Sequence, residues 1–205
     1  QIEIVFAEYG TVGAMVTKAC KMANVPLIVH FHGADAHHQP TIDSFKDLIK
    51  YMFDYASFIV AVSEDMVRAL KVLGASENNL ILNPYGVNLK KFKKIDIQSN
   101  VINFISVGRF VEKKSPYSVI QSFQLLLKKI PEAKLIMVGN GPLFSNSKIL
   151  VKKLEIQNHV IFKGVLNHTE IYELMENSRC FIQHSITSVT GDMEGTPNSI
   201  LEASA

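Results

Sequence analysis

Short apolar segments rich in β-branched residues alternate with amphipathic stretches from one end of the 205-residue chain to the other. Such segments are typical of strands buried on both faces of a parallel sheet. In the stretches between them, apolar residues recur at the three-and-four spacing of one helix face, as at Val119, Phe123 and Leu126. The pattern predicts an α/β fold of βαβ units. The predicted strands are residues 2–7, 26–31, 58–62, 79–83, 101–107, 133–138, 159–163 and 179–183, and the predicted helices lie near residues 11–24, 43–55, 64–73, 115–130, 143–155 and 168–177.

A polar, lysine-rich segment at residues 88–100 interrupts this pattern and predicts a hinge. It divides the chain into two Rossmann-like lobes, residues 1–94 and 95–205. The chain opens directly in a predicted strand and stops in an unfinished helix, so we expect both lobes to be truncated at the chain ends. Ligands of doubly wound sheets bind at the carboxyl ends of the strands, where the candidate motifs are therefore sought.

Composition and charge narrow the class of protein. Apolar residues make up 47% and charged residues 20%, which is typical of a folded globular chain. A net charge of +2 argues against a nucleic-acid partner. Two distant cysteines in apolar segments and the lack of an apolar run near the ~20 residues of a membrane span favour a cytoplasmic protein. The lysine pairs, such as Lys128-Lys129, fit either solvated faces or peripheral contact with an anionic membrane or an acidic substrate.

Two glycine-containing segments follow predicted strands. Gly108 allows a tight turn, after which Arg109 and Lys114 supply two cations five residues apart, a pattern that suits a diphosphate. A basic turn that caps a helix is the alternative. Gly139-Asn140-Gly141-Pro142-Leu143 permits close backbone approach and begins a helix, whose first amides favour phosphate or a nucleobase edge. A plain strand-to-helix turn is the alternative there, and the third glycine of a dinucleotide fingerprint is lacking.

The segment from Asp192 to Glu202 places two carboxylates around a helix start. Thr196 is predicted as the N-cap and Pro197 as the first helical residue. Glu194 then lies before the helix and Glu202 two turns into it, so the two are expected to hold different parts of one extended ligand. The pattern at Asp192 and Glu194 also resembles the Asp-x-Asp of metal-dependent glycosyltransferases, which is a second interpretation.

Histidines follow the strand predicted at residues 26–31. His30 and His32 alternate along it and are expected to share one face. Together with Asp35 they fit either a polar wall of a sugar site or a metal site.

Taken in this order, the motifs resemble the family-4 retaining glycosyltransferases of the GT-B fold. The resemblance covers nearly the whole chain, and it includes His32-Gly33 and the segment at residues 83–88. Ser115 stands where that family commonly has glycine. The family's glycine-rich first loop of the acceptor domain and the end of its donor domain are not in this sequence, so the fragment is expected to fold poorly or to be inactive.

The resemblance implies transfer of a sugar from a UDP- or GDP-sugar to a glycan or lipid-linked acceptor, with retention of configuration, in surface polysaccharide or glycolipid assembly. Arg109 and Lys114 would hold the diphosphate, Glu194 the transferred sugar, and His32 would face that sugar from the other lobe. No metal and no cofactor beyond the nucleotide sugar are implied. The implied donor-binding residues are Gly108, Gly139, Asn140, Gly141, Pro142, Leu143, Gly195, Thr196, Pro197 and Glu202.

Two other functions stay open from the sequence. One is a non-catalytic nucleotide-sugar-binding lobe or an inactive fragment. The other is a metal-dependent hydrolase that uses His30, His32 and Asp35. Isolated later histidines, such as His159 and His184, do not complete a ligand set, which disfavours the hydrolase.

Overall fold

A computed structural model describes residues 2–92, 95–99 and 101–205. Contacts divide the chain into unit 1, residues 1–85 and 187–196, and unit 2, residues 86–186 and 197–205. The predicted lobe boundary at residue 94 lies outside the described residues.

Unit 1 is a parallel four-stranded sheet flanked by helices, with the strands in the order β1-β2-β3-β4. Register pairs Glu8 of the first strand with His30 of the second, and His30 with Val60 of the third. The strands are β1 (Val5–Glu8), β2 (Leu27–His30), β3 (Phe58–Ala61) and β4 (Leu80–Leu82), and the helices are α1 (Gly10–Ala23), α2 (Ala34–His37), α3 (Gln39–Tyr55) and α4 (Glu64–Leu73).

The core of unit 1 lies between one face of this sheet and its helices. Leu27, Val29 and Ile59 are fully buried there. A methyl group added at Gly13 of α1 would lie 2.6 Å from Cγ1 of Val29. Glycine therefore lets α1 rest directly on β2, which positions the residues that follow β1 and β2.

Unit 2 repeats the architecture with the strand order β7-β6-β5-β8, all parallel. One face of the sheet packs with the fully buried Ile120 and Phe123, and the other packs Ile105 and Val138 beneath Ile171. The strands are β5 (Asn103–Val107), β6 (Lys134–Val138), β7 (Val160–Gly164) and β8 (Cys180–Phe181), and the helices are α5 (Pro116–Leu127), α6 (Phe144–Lys153), α7 (His168–Glu176) and α8 (Asn198–Ser204).

The predicted α/β class with two parallel sheets is confirmed, and each predicted strand overlaps an observed one, although β1 and β7 end one residue later than predicted. One helix was not predicted, and the start predicted for another was wrong. The four-residue α2 was missed, because one helical turn is too short to show a periodic pattern. Helix α8 begins at Asn198 with Pro197 as its N-cap. Thr196 therefore lies one residue before the N-cap, and its hydroxyl donates to the Val62 carbonyl oxygen at 3.4 Å.

In the described part of the chain, no helix combines the length and the apolar character that crossing a membrane requires.

Candidate functional site

The loops that follow β5 and β6 are bound to each other through their backbones. The Phe110 amide donates to the Asn140 carbonyl at 3.0 Å, and the Leu143 amide donates to the Phe110 carbonyl at 2.9 Å. A methyl group at Gly139 would lie 2.0 Å from the Gly108 carbonyl oxygen. The predicted close backbone approach at the Gly-x-Gly turn is therefore present, and the backbone that approaches is that of the Gly108–Phe110 loop.

Replacing Gly139 by alanine is expected to lower the free energy of unfolding by about 2–3 kcal/mol, because overpacking adds to an unfavourable backbone conformation. Its φ is 127° and its close neighbour is rigid backbone. Gly164→Ala is the matched control in unit 2, since φ there is 70° and nothing lies within 4 Å of the added methyl. That control is expected to lose only about 1 kcal/mol. Urea unfolding measures both, and equal losses would contradict the steric explanation.

Arg109 and Lys114 line one small pocket at the carboxyl end of β5, together with Gly108 and Gln183. Arg109 is exposed, whereas Lys114 is half-buried and closes a short 3-10 turn. Cδ and Cε of Lys114 would lie 3.7 Å from a methyl group at Gly108, an ordinary van der Waals distance, so the lysine stem runs alongside this glycine. The loop thus presents two cations to one pocket, an arrangement suited to an anionic group.

Ser115 is the residue of this loop that stands where the family commonly has glycine. Its φ is 41°, in the left-handed region that favours glycine. The Ser115 hydroxyl lies 2.7 Å from the Ser118 hydroxyl in the first turn of α5. Serine therefore occupies the glycine-type conformation with a local hydrogen bond.

Glu202 lies in α8 and accepts a hydrogen bond from the Tyr172 hydroxyl of α7 at 3.3 Å. Burial, and then the Glu202 carboxylate, raise the pKa of Tyr172, so this phenol stays protonated and donates. Glu202 also lines a cavity of about 180 Å³ with Lys91 and Asn198. Sequence reasoning missed Tyr172, because no local pattern links residues thirty positions apart.

In unit 1, β1 and β2 bring Glu8, His30 and His32 together. Oε2 of Glu8 lies 3.2 Å from Nδ1 of His30 and also contacts Nε2 of His32. The two imidazole rings lie 4.2 Å apart between centroids, which confirms that His30 and His32 share one face. The other ring nitrogen of His32, Nδ1, contacts the Tyr85 hydroxyl. Neither Glu8 nor Tyr85 was singled out from the sequence.

Asp35 is buried and holds the loop between β2 and α2. Its carboxylate accepts from the backbone amides of Gly10 at 2.7 Å, His32 at 3.0 Å and Gly33 at 2.8 Å. These contacts explain why a buried carboxylate is tolerated here. They also make the metal set of His30, His32 and Asp35 wrong, because Asp35 is committed to these amides. The carboxylate that lies beside the two histidines is that of Glu8, and one side-chain N or O atom from each of Glu8, His30 and His32 lies within 4.8 Å of the others.

The segment at residues 187–196 packs on the same part of unit 1. A methyl group at Gly195 would lie 3.2 Å from Cγ2 of Val62, so glycine fits this close packing. A methyl group at Gly33 would lie 3.6 Å from the Met193 carbonyl oxygen. Glu194 also raises the pKa of Tyr85, although burial is the main cause, which brings it to about 12. The structure therefore brings Glu194, Gly195 and Thr196 close to the loop that carries His32.

The remaining predicted site residues belong to unit 2. They fall into the joined loops that follow β5 and β6 and the start of α8. That these residues and those of unit 1 bind a single nucleotide sugar stays a prediction. The unit 2 set is Gly108, Arg109, Lys114, Gly139, Asn140, Gly141, Pro142, Leu143, Pro197 and Glu202.

The stability of the chain is expected to fall as the pH drops from about 7 to 5. Burial holds the pKa of His30 below its ordinary value of about 6.5. The unfolded state therefore takes up a proton that the folded state does not, and acid favours unfolding. Urea midpoints at pH 7.5 and 5.5 measure the difference, which His30→Asn should reduce and the control His168→Asn, at an exposed position, should not. An unchanged difference in His30→Asn would contradict this explanation.

Comparison with known proteins gives two family matches. Residues 87–205 match the family described as glycosyl transferases group 1, and residues 1–91 match the family described as glycosyltransferase family 4.

Individual relatives agree with these matches. The uncharacterized glycosyltransferase MJ1059 of Methanocaldococcus jannaschii is 29% identical over 167 residues, which cover 75% of this chain and 39% of the relative. The amylovoran biosynthesis glycosyltransferase AmsK of Erwinia amylovora is 24% identical over 207 residues, which cover 99% of this chain and 51% of the relative. The chain thus spans about half the length of AmsK and less than half the length of MJ1059.

Among solved structures, Anabaena Alr3699/HepE in complex with UDP and glucose superimposes with a TM-score of 0.80 at 18% identity. The match covers 98% of this chain and 56% of the other. At this level of identity the similarity establishes the fold.

Proposed function

Because the chain belongs to the glycosyl transferases group 1 family, we propose that it forms part of an enzyme that moves a sugar from a nucleotide-diphosphate sugar to an acceptor hydroxyl. The observation that carries the proposal is that Arg109 and Lys114 line one pocket at the carboxyl end of β5. Retention of configuration rests on the resemblance to the retaining family-4 enzymes. Assembly of a surface polysaccharide is supported by the relative named for amylovoran biosynthesis.

The chemistry needs positive charge at the departing diphosphate. As the bond between the sugar and the phosphate breaks, negative charge grows on the phosphate and positive charge grows on the sugar. Fixed cations that bind the departing charge more strongly than the ground state lower the barrier. Arg109 and Lys114 supply these charges, so the reaction in this proposal needs neither a metal ion nor a cofactor beyond the donor.

The donor-binding loops also suit this task because they are held together. The amide and carbonyl contacts of Phe110 join the loop that carries Arg109 to the turn at residues 139–143. Groups fixed before the ligand arrives lose little freedom on binding, which favours affinity and transition-state stabilisation. In this proposal the turn lies beside the nucleobase, and Glu202 holds the ribose hydroxyls.

Calorimetry of the chain against UDP-, GDP- and ADP-sugars tests the proposal. We expect saturable binding of one of these classes, unchanged by EDTA, and weaker binding in Arg109→Ala. Lys152→Ala, at an exposed position in α6, is the matched control and should bind as the parent chain does. Absence of binding to every nucleotide sugar would refute the proposed donor site, and loss of binding in EDTA would refute metal independence.

A further inference from the structure

Glu8 ends β1 with its carboxylate held by two histidines of unit 1. Both contacts, to Nδ1 of His30 and Nε2 of His32, go to Oε2. Among the described residues, no hydrogen-bond donor reaches Oε1 of Glu8, and the Glu8 side chain is 56% exposed. One oxygen of the carboxylate is therefore held by two histidines, whereas the other has no donor among the described residues.

The proton positions in this cluster follow from its partners. The hydrogen bond from His32 lowers the pKa of Glu8, so its carboxylate is ionised and can only accept. Burial brings the pKa of Tyr85 to about 12, so its hydroxyl keeps its proton. Both ring nitrogens of His32 are thus engaged, Nε2 with the Glu8 carboxylate and Nδ1 with the Tyr85 hydroxyl.

These contacts determine which group of the cluster can meet a ligand. Both ring nitrogens of His32 are engaged, and Nε2 of His30, which has no hydrogen-bond partner among the described residues, is buried. The most exposed hydrogen-bonding group of the cluster is therefore the Glu8 carboxylate. A carboxylate oxygen accepts hydrogen bonds, and the groups that suit it are hydroxyls. The Tyr9 ring, which is 53% exposed and centred 4.7 Å from the His32 ring, adds an apolar surface beside it.

The charges around the cluster restrict the ligand further. Glu8, Asp35 and Glu194 all act on Tyr85 as negative charges. Burial lowers the pKa of His30, so this imidazole is neutral and does not offset them. Like charges disfavour an anionic ligand at such a surface.

We propose that Glu8 is a binding residue for a neutral, hydroxyl-bearing sugar of the acceptor, with His30 and His32 positioning its carboxylate. The proposal rests on the proposed function, since it names the acceptor chemistry of that enzyme. The acceptor's terminal unit at this subsite is a neutral sugar and not a uronic acid or a phosphate-bearing unit.

Saturation-transfer NMR on the chain tests this with methyl β-D-glucopyranoside against methyl β-D-glucuronide, and with the corresponding galactoside and galacturonide. The two members of each pair differ only at C6. We expect a neutral glycoside to bind at least about fivefold more tightly than its uronate. Glu8→Gln removes the charge and should bring this ratio within about twofold. Glu3→Gln, which changes an exposed glutamate just before β1, is the matched control and should leave the ratio unchanged.

Several outcomes would overturn the proposal. They are absence of binding by both neutral glycosides, equal binding of neutral and acidic members, or a ratio that Glu8→Gln leaves intact. Stoichiometric zinc uptake that Glu8→Gln abolishes would identify the cluster as a metal site and would also overturn it. UDP added to the same samples reports on the donor site separately, so a failure here and a failure of the proposed function are distinguishable.

Discussion

Arg109→Ala is expected to lower the rate of sugar transfer by about 10²–10³-fold, the usual effect of removing one group that stabilises developing negative charge. The guanidinium is exposed beside the pocket that it shares with Lys114, so its removal leaves the core intact. The measurement is kcat with the donor that calorimetry identifies, in a chain active for transfer. The urea midpoint should stay unchanged.

Two control variants show whether the loss depends on the position and the shape of the Arg109 side chain. Arg109→Lys keeps a positive charge but loses the planar fork, so an intermediate rate is expected. Lys152→Ala removes an exposed cation in α6 and should transfer at the parent rate. Near-normal transfer by Arg109→Ala would show that the loop after β5 is a basic turn with no part in the reaction.

Asp35→Ala is expected to lower the free energy of unfolding by about 4–5 kcal/mol, because amides that now bond to a buried carboxylate would lose their partner. These are the backbone amides of Gly10, His32 and Gly33. Since the first of them begins α1 and the others shape the loop after β2, the loss affects both elements. Chemical unfolding followed by circular dichroism measures it.

Asp43→Ala is the matched control for this substitution. Asp43 is an exposed aspartate of α3 whose carboxylate accepts from the Gln39 side chain at 2.8 Å. Surface contacts of this kind contribute little, so a loss below about 0.5 kcal/mol is expected. If Asp35→Ala were as mild as this control, the carboxylate would not be what holds the loop.

Sequence reasoning predicted the strands because they are buried, and burial on both faces leaves continuous apolar segments such as Leu135–Val138. It also predicted that His30 and His32 share a face, since alternation along one strand determines this. Glu8 was missed because its position opposite His30 depends on the register of two separate strands. A charged residue at the end of a predicted apolar strand was the available signal.

In unit 2, the sequence predicted part of how the loops after β5 and β6 are arranged and little of what they contact. The spacing of Arg109 and Lys114 indicated two cations on one loop, and they line one pocket. The partner of Gly139 could not be read from its neighbours in sequence, because β5 and β6 have to pair before Gly108 lies against it. The start of helix α8 was predicted one residue early. The Thr196 hydroxyl donates instead to the Val62 carbonyl oxygen, a contact between distant residues that the local sequence does not reveal.

The backbone contacts between the two unit 2 loops have a consequence for protein engineering. Asn140 and Leu143 form hydrogen bonds with Phe110 through main-chain atoms. The backbone conformation of each loop therefore depends on that of the other. Grafting one loop from a relative would leave it without its counterpart. Residues 108–116 and 139–143 are best exchanged together, as a single cassette.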